Sequence, residues 1–204
     1  MILLPRTGKP TTIRPRTTPR RDESLISAKN TLNIGTLNTR TLAKPGKMNL
    51  VLKEIDRYKW DIVGMSETHL PRNGEENILG TLFLLSGRSV GVHRQVVGFI
   101  LSPAAKRSLM TFTPVSERIA TIRLKGPIKN LSVVQIYAPD SARSEEECYQ
   151  FYFQLQSITD HIPKNDILIV LGDFNAIVGI CHAGQKDVMG PHGHGRKCHE
   201  SERT

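Results

Sequence analysis

The pattern of apolar and polar positions changes at residue 31, after which short apolar runs alternate with amphipathic stretches. Six of these runs have the length and composition of β-strands. The sequence KGPIKN separates the fourth run from the fifth and predicts a hairpin between them. Residues 71–95 are predicted as a glycine-rich loop. The predicted strands cover residues 31–38, 61–67, 96–101, 118–124, 131–138 and 166–171.

Two stretches place apolar residues at helical spacing, residues 47–59 and residues 143–161. In the second stretch Glu147 follows Ser144 by three positions, which predicts a capping box. The order of strands and helices predicts two packed sheets with helices outside, an α/β layered fold. The predicted apolar faces consist of Met48, Val51, Leu52 and Ile55 in the first helix, and of Cys148, Phe151, Tyr152, Leu155 and Ile158 in the second.

The chain is predicted to have a disordered basic arm, residues 1–30, a folded domain, residues 31–180, and a flexible tail, residues 181–204. Four prolines interrupt the arm, which excludes the amphipathic helix of a mitochondrial presequence. The tail carries several His and Cys residues, but their spacing matches no closed zinc site.

The net charge of +9 favours a polyanionic partner, nucleic acid before membrane. No apolar run approaches the roughly 20 residues that span a bilayer, so we expect no membrane partner. The opening MILL is too short for a secretory signal, and three cysteines are too few for a disulfide framework. These features favour an intracellular protein, nuclear or cytoplasmic.

Polar side chains that carry chemistry follow four of the apolar runs. They are Asn38, Glu67, Tyr137, and Asp173 with Asn175 in the sequence GDFNA. If these strand ends converge, carboxylate and amide oxygens meet in one cleft, and such hard ligands suit Mg²⁺, with Mn²⁺ as an alternative. A bound cation of this kind supports phosphodiester hydrolysis, in which a carboxylate orients water and an amide contacts the phosphate.

These motifs, in this order, resemble the endonuclease/exonuclease/phosphatase superfamily: Asn38, SETHL at 66–70, IYAP at 136–139 and GDFNA at 172–176. Within it, the chain more closely resembles the endonuclease domain of non-LTR retrotransposons and the craniofacial development protein 2-like chains related to them. The resemblance covers about residues 31–196. Further similar stretches are VVGFILS at 96–102, PVSERIATIRLKG at 114–126, VVQIYAPDS at 133–141 and GPHGHGR at 190–196.

The resemblance implies a two-sheet α/β sandwich of the DNase I-like kind and a divalent-metal-dependent endonuclease that acts on DNA. It implies that Glu67 is the principal metal ligand, with Asn38 beside it. It further implies that Asp173 orients the water or protonates the leaving group, that Asn175 holds the phosphate, and that Tyr137 places a hydroxyl against it.

Two features depart from the family pattern. Arg40 occupies the position of a second acid in the abasic-site endonuclease branch, whereas a basic residue is common there in the retrotransposon branch. The family's terminal Ser-Asp-His element has no counterpart before Thr204, so the last strands are expected to be missing. This leaves open a non-catalytic nucleic-acid-binding or interaction module of the same fold, and, ranked last, a phospholipid phosphatase.

Several basic residues in predicted loops are candidates for contacts with DNA phosphates. They lie on the side of the chain where the cleft is expected. The candidates are Arg40, Lys44, Arg72 and Arg94.

Overall fold

The structure is a computed structural model of the 204-residue chain and describes residues 31–70, 73–87, 96–140 and 142–176. The predicted arm and tail, and the candidates Arg72 and Arg94, lie outside the described residues. The described elements, in chain order, are β1 (Ile34–Asn38), α1 (Lys47–Tyr58), β2 (Ile62–Ser66), β3 (Asn73–Ile78), β4 (Thr81–Ser86), β5 (Val97–Leu101), α2 (Pro103–Ser108), β6 (Leu109–Pro114), β7 (Ile119–Leu124), β8 (Leu131–Tyr137), α3 (Glu145–His161) and β9 (Ile167–Asp173).

The strands form two mixed sheets, which confirms the predicted two-sheet α/β sandwich. One sheet has the order β1-β2-β5-β4-β3 and the other has the order β6-β7-β8-β9. The central strands β2, β5 and β8 are buried on both faces because each sheet is covered on both sides. Between the sheets, Leu84 and Phe99 of the first belong to the same buried cluster as Ile122 and Val133 of the second.

One long helix packs on the outer face of each sheet. Val51 of α1 lies in a buried cluster with Met65 and Phe83 of the first sheet. Phe151 of α3 lies in a cluster with Val134 of the second. The amphipathic patterns of both helices are therefore explained by packing, as predicted. None of the helices within the described ranges is long and apolar enough to cross a membrane.

Two parallel strand pairs bring the polar strand ends to one edge of the sandwich. In the first sheet, β1 runs parallel to β2 and pairs Asn38 with Ser66. In the second, β8 runs parallel to β9 and pairs Tyr137 with Asp173. Because β1 and β9 are also in contact across the sheets, all four carboxyl ends meet at one place.

The prediction of a loop over residues 71–95 was wrong for the part that the structure describes. Residues 73–86 form a regular antiparallel hairpin of β3 and β4. Strand β4 is almost entirely buried because its sequence TLFLLS pairs with β5 in the core. Strand β3 lies at the sheet edge, where exposed and half-buried residues alternate along it. Its sequence NGEENI is largely polar and therefore resembles that of a loop.

Helix α3 differs from its prediction at one position. Ser144 caps the helix, since its Oγ accepts from the Glu147 N–H at 3.2 Å, as the sequence predicts. Tyr152, however, is 47% exposed and does not join the apolar face. It follows Phe151 by one residue, about 100° around the helix, and the two rings meet edge to face with their centroids 5.2 Å apart.

Candidate active site at the strand ends

Asn38 connects the two carboxylates of the predicted site. It is the last residue of β1, and its Nδ2 donates to Glu67 Oε1 at 2.9 Å and to Asp173 Oδ2 at 3.5 Å. Its Oδ1 accepts from the Arg40 N–H at 3.0 Å. Asn38 thus bridges the acids of the two sheets through its amide.

Glu67 directly follows β2 and has a left-handed backbone, with φ of +53°. This conformation is uncommon outside glycine and persists only where the surroundings enforce it. Here the Thr39 hydroxyl, which is buried, donates to the Ser66 carbonyl at 2.9 Å and to the Glu67 carbonyl at 3.1 Å. The Thr41 N–H also donates to the Glu67 carbonyl, at 2.8 Å. These bonds hold the loop that aims the Glu67 carboxylate at the cleft.

Tyr137 ends β8 and reaches Glu67 from the opposite sheet. Its hydroxyl donates to Glu67 Oε1 at 2.9 Å. Burial raises the pKa of the Tyr137 phenol, and the hydrogen bond to Glu67 and the negative charges of Glu67 and Asp173 raise it further. A hydrogen bond with Asn175 opposes this rise in pKa. The phenol is therefore protonated at neutral pH and available as a donor.

Asp173 and Asn175 are placed by a tight turn after β9. The Asn175 N–H donates to Asp173 Oδ1 at 3.0 Å, as in an Asx turn. Asn175 has a left-handed backbone with φ of +46°, and its Nδ2 donates to the Ala138 carbonyl at 2.6 Å. This bond ties the turn to the end of β8, so that both polar side chains stay at the cleft.

The structure brings all five predicted cleft residues to one edge of the sandwich. Their donor set of carboxylate and amide oxygens fits a hard divalent cation such as Mg²⁺, which takes one or two carboxylates and completes its coordination with water and phosphate. Within the described ranges no three His, Cys, Asp or Glu side chains form a group that could hold a metal ion.

The basic candidates are only partly described. Arg40 is exposed and lies two residues beyond Asn38, with φ of +44°. Lys44 is exposed in the segment between β1 and α1. Both lie beyond the carboxyl end of β1, on the side of the cleft.

Two residues that support the site were not predicted. Thr39 holds the backbone at Glu67, and Arg118 contacts Tyr137 through both its backbone and its guanidinium. Nothing in the sequence around Thr39 distinguishes it from an ordinary loop threonine. The sequence feature that could have indicated Arg118 is its position directly before the apolar strand β7, within the sequence ERIATIRL.

A two-sheet α/β sandwich with carboxylates and amides at converging strand ends is the architecture of DNase I-like phosphodiesterases. Residues 31–179 match the Endonuclease/Exonuclease/phosphatase family, which is more than half of the chain. The protein belongs to this family.

Relatives and solved structures agree with this assignment. Craniofacial development protein 2 of Bos taurus is 35% identical over 159 residues, which make up 78% of this chain and 26% of the relative. The chain thus spans about a quarter of the length of this curated relative.

Two solved structures share the fold. One is the endonuclease domain of TRAS1, a telomere-specific non-LTR retrotransposon, with a TM-score of 0.53 and 16% identity over 72% of this chain and 60% of that chain. The other is D. rerio TDP2 complexed with single strand DNA product, with a TM-score of 0.51 and 16% identity over 71% of this chain and 61% of that chain. At these identities the likeness concerns the fold.

Proposed function

We propose that this chain contains a divalent-metal-dependent phosphodiesterase domain that cleaves DNA as an endonuclease of the retrotransposon type. The observation that carries the proposal is the Asn38 amide, which lies within 3.5 Å of carboxylate oxygens from both sheets, Glu67 and Asp173. The family match supports the reaction class, and the residues supply the specific roles.

Glu67 and Asn38 would hold the cation, Mg²⁺ or alternatively Mn²⁺. Glu67 supplies the charge, because among the described residues its carboxylate receives only neutral donors, the Asn38 amide and the Tyr137 hydroxyl. The Asn38 oxygen has a second lone pair besides the one that faces Arg40. When bound, the cation neutralises negative charge that develops on the phosphate oxygens.

The other cleft residues would act on water and phosphate. Asp173, on the opposite sheet from Glu67, orients the attacking water and accepts its proton, or donates a proton to the leaving oxygen. Asn175 has two amide hydrogens, one of them on the Ala138 carbonyl, which gives the group a fixed direction. The other faces Tyr137 and would donate to a phosphoryl oxygen when substrate is bound. Tyr137 supplies a neutral hydroxyl donor that adds no charge.

DNA is the favoured substrate. The chain carries 28 basic and 19 acidic residues, and a polyanionic backbone is attracted to such an excess. Arg40 and Lys44 at the edge of the cleft are the described candidates for phosphate contacts, and one of the fold neighbours holds a single-stranded DNA product.

A plasmid-nicking assay with the full chain tests the proposal. We expect nicking with Mg²⁺, none with EDTA, and at least about a hundredfold loss in Glu67→Ala, because a metal ligand and a hydrogen-bond hub are removed together. Glu75→Ala is the matched control, since Glu75 is an exposed acid of β3 at the far edge of the same sheet.

Nicking that persists in Glu67→Ala would overturn the proposal. Salt-sensitive DNA binding by the wild type without any cleavage would favour a non-catalytic binding role for the same fold.

A further inference from the structure

Arg118 contacts Tyr137 at three points. Its carbonyl accepts from the Tyr137 N–H at 2.9 Å, and its Nη1 donates to the Tyr137 carbonyl at 3.1 Å. Its guanidinium carbon also lies 5.5 Å from the centre of the Tyr137 ring, over the ring face. One arginine therefore occupies both backbone hydrogen-bonding groups and the aromatic face of a single residue.

The surroundings of Arg118 fix the orientation of its guanidinium. The residue precedes β7, is half-buried, and lines a cavity of about 600 Å³ between this strand and α3, together with Pro139 and Phe151. A planar guanidinium that lies over an aromatic ring and donates sideways to a carbonyl is held in one orientation, which lysine cannot reproduce.

The guanidinium remains charged in this environment. Burial lowers the pKa of the Arg118 guanidinium from its usual value, and the nearby Arg143 lowers it further. Interaction with Tyr137, Glu117 and Glu147 opposes this shift in pKa. The cation over the Tyr137 ring is thus present throughout the neutral pH range.

We propose that Arg118 is a positioning residue that holds the Tyr137 ring so that its hydroxyl stays 2.9 Å from Glu67 Oε1. The inference rests on the proposed function, because it matters for catalysis only if Tyr137 and Glu67 serve the reaction. Arg118 itself touches neither carboxylate and acts through the tyrosine. Without the Arg118 side chain, the backbone hydrogen bond to the Tyr137 N–H remains. The guanidinium contacts with the Tyr137 carbonyl and ring, which fix the direction of the ring, are lost.

Kinetics of a double-mutant cycle test this role. We expect Arg118→Met to lower kcat about tenfold with KM changed less than about twofold, since ring orientation affects the reaction and not substrate affinity. In the Tyr137→Phe background the same substitution should change kcat by less than about twofold, because no hydroxyl is left to aim. Arg118→Lys, which keeps the charge but not the planar fork, should fall between wild type and Arg118→Met.

Arg143→Met is the matched control. It removes a neighbouring cation whose ion-pair partners are Asp140 and Glu147. Both kinetic constants should remain within about twofold of wild type. Thermal melting of every variant identifies any that fail to fold. The proposal would be overturned if Arg118→Met still lowered kcat tenfold in the Tyr137→Phe background, or if it raised KM and left kcat unchanged. Either result would assign Arg118 to direct contact with the DNA.

A spectroscopic measurement separates this proposal from the proposed function. The chain has four tyrosines, so ring signals from ¹³C-labelled tyrosine can be assigned to Tyr137 by their loss in Tyr137→Phe. Arg118→Met should shift these signals and accelerate ring flipping, whereas Arg143→Met should leave them unchanged. If wild type cleaves no DNA, this readout still decides the positioning role: unchanged Tyr137 signals in Arg118→Met refute it.

Discussion

Tyr137 is the residue whose chemistry is most altered by its surroundings. Its hydroxyl faces the Glu67 carboxylate, and both burial and nearby negative charge favour the neutral phenol over the phenolate. The pKa of Tyr137 is therefore raised above its usual value of 10.0. Because the proton is held more tightly, the hydroxyl remains a donor across the neutral and mildly alkaline range.

A spectrophotometric titration checks this. The absorbance change near 295 nm (tyrosinate formation) in wild type, minus that in Tyr137→Phe, should give a single transition with a midpoint above pH 10. A difference transition centred below pH 10 would contradict the assignment.

The pH dependence of nicking provides a second check. Any loss of nicking activity between about pH 8 and pH 9 should persist in Tyr137→Phe, since Tyr137 does not ionise there.

At the residue scale, the sequence indicated which side chains meet but not how they are held. Asn38 and Glu67 could be predicted as neighbours because each ends an apolar strand, and parallel strands end at one edge. The left-handed backbone at Glu67 could not be predicted, because glutamate has no preference for it and the Thr39 hydrogen bonds that enforce it are tertiary. For the same reason the role of Asn38 as a bridge became visible only in three dimensions.

Among the elements, β9 depends on a glycine for its approach to β8. Gly172 has φ of +141°, and a Cβ there would collide with the backbone carbonyl of its partner Ile136. We expect Gly172→Ala to lower the free energy of unfolding by about 3 kcal/mol, from backbone strain and steric conflict together. Asp173 follows immediately, so the change also displaces the site.

The matched control is Gly74→Ala, measured in the same urea denaturation series. Gly74 also has a positive φ, +128°, but open space where a Cβ would point. Backbone strain alone should lower its free energy of unfolding by about 1 kcal/mol. Equal losses in the two variants would show that contact with Ile136 contributes nothing.

The opposite end of β9 is anchored by a buried carboxylate. Asp166, whose side chain is 2% exposed, accepts from Arg123 at 2.7 and 3.0 Å and from the Ser132 hydroxyl at 2.8 Å. Hydrogen bonding to Arg123, followed by that to Ser132, lowers the pKa of Asp166, with burial opposing the shift. The bonds join β7, β8 and the start of β9.

This arrangement predicts a pH dependence of stability. Because the folded pKa of Asp166 lies below its unfolded value, its contribution is fully present above the unfolded value, near pH 4, and is lost as pH falls through the folded pKa. Melting curves should therefore place wild type above Asp166→Asn at pH 7, with a gap that narrows below about pH 4. Asp56→Asn, on the exposed side of α1, controls for the loss of one charge. A gap independent of pH would contradict the prediction.

The elements that the sequence predicted are those with a strong apolar period. Both long helices and the strands β2, β5 and β8 were predicted because each presents a continuous apolar face or a mostly apolar run, whereas β4 was missed although its sequence TLFLLS is apolar. Strand β3 was missed because, at the sheet edge, pairing with β4 decides its conformation and its own residues are largely polar. Helix α2 was missed because six residues are too few to show a helical period.

At the scale of the whole molecule, charge is distributed unevenly along the chain. Residues 1–30 contain seven Lys or Arg and two Asp or Glu, a net charge of +5, which leaves +4 for the remainder of the +9 total. A long-range attraction for polyanions is therefore a property of the full chain, whereas Arg40 is an individual positive charge placed beside the candidate cleft. The two contributions can be separated by their dependence on salt.

We expect the DNA affinity of the full chain to fall steeply as salt is raised, because bound phosphates release counterions. Arg40→Gln should reduce the slope of log affinity against log salt by about 1, the value for one phosphate contact. Arg57→Gln is the control and removes an equal charge from the last turn of α1. This end of α1 lies near the amino end of β1, because the Asn33 side chain donates to the Lys59 carbonyl. That position is about 17 Å along β1 from the cleft, and its slope should match wild type. Since net charge falls equally in both variants, a slope that changes to the same extent in each would mean that overall charge alone, and not the cleft edge, attracts DNA.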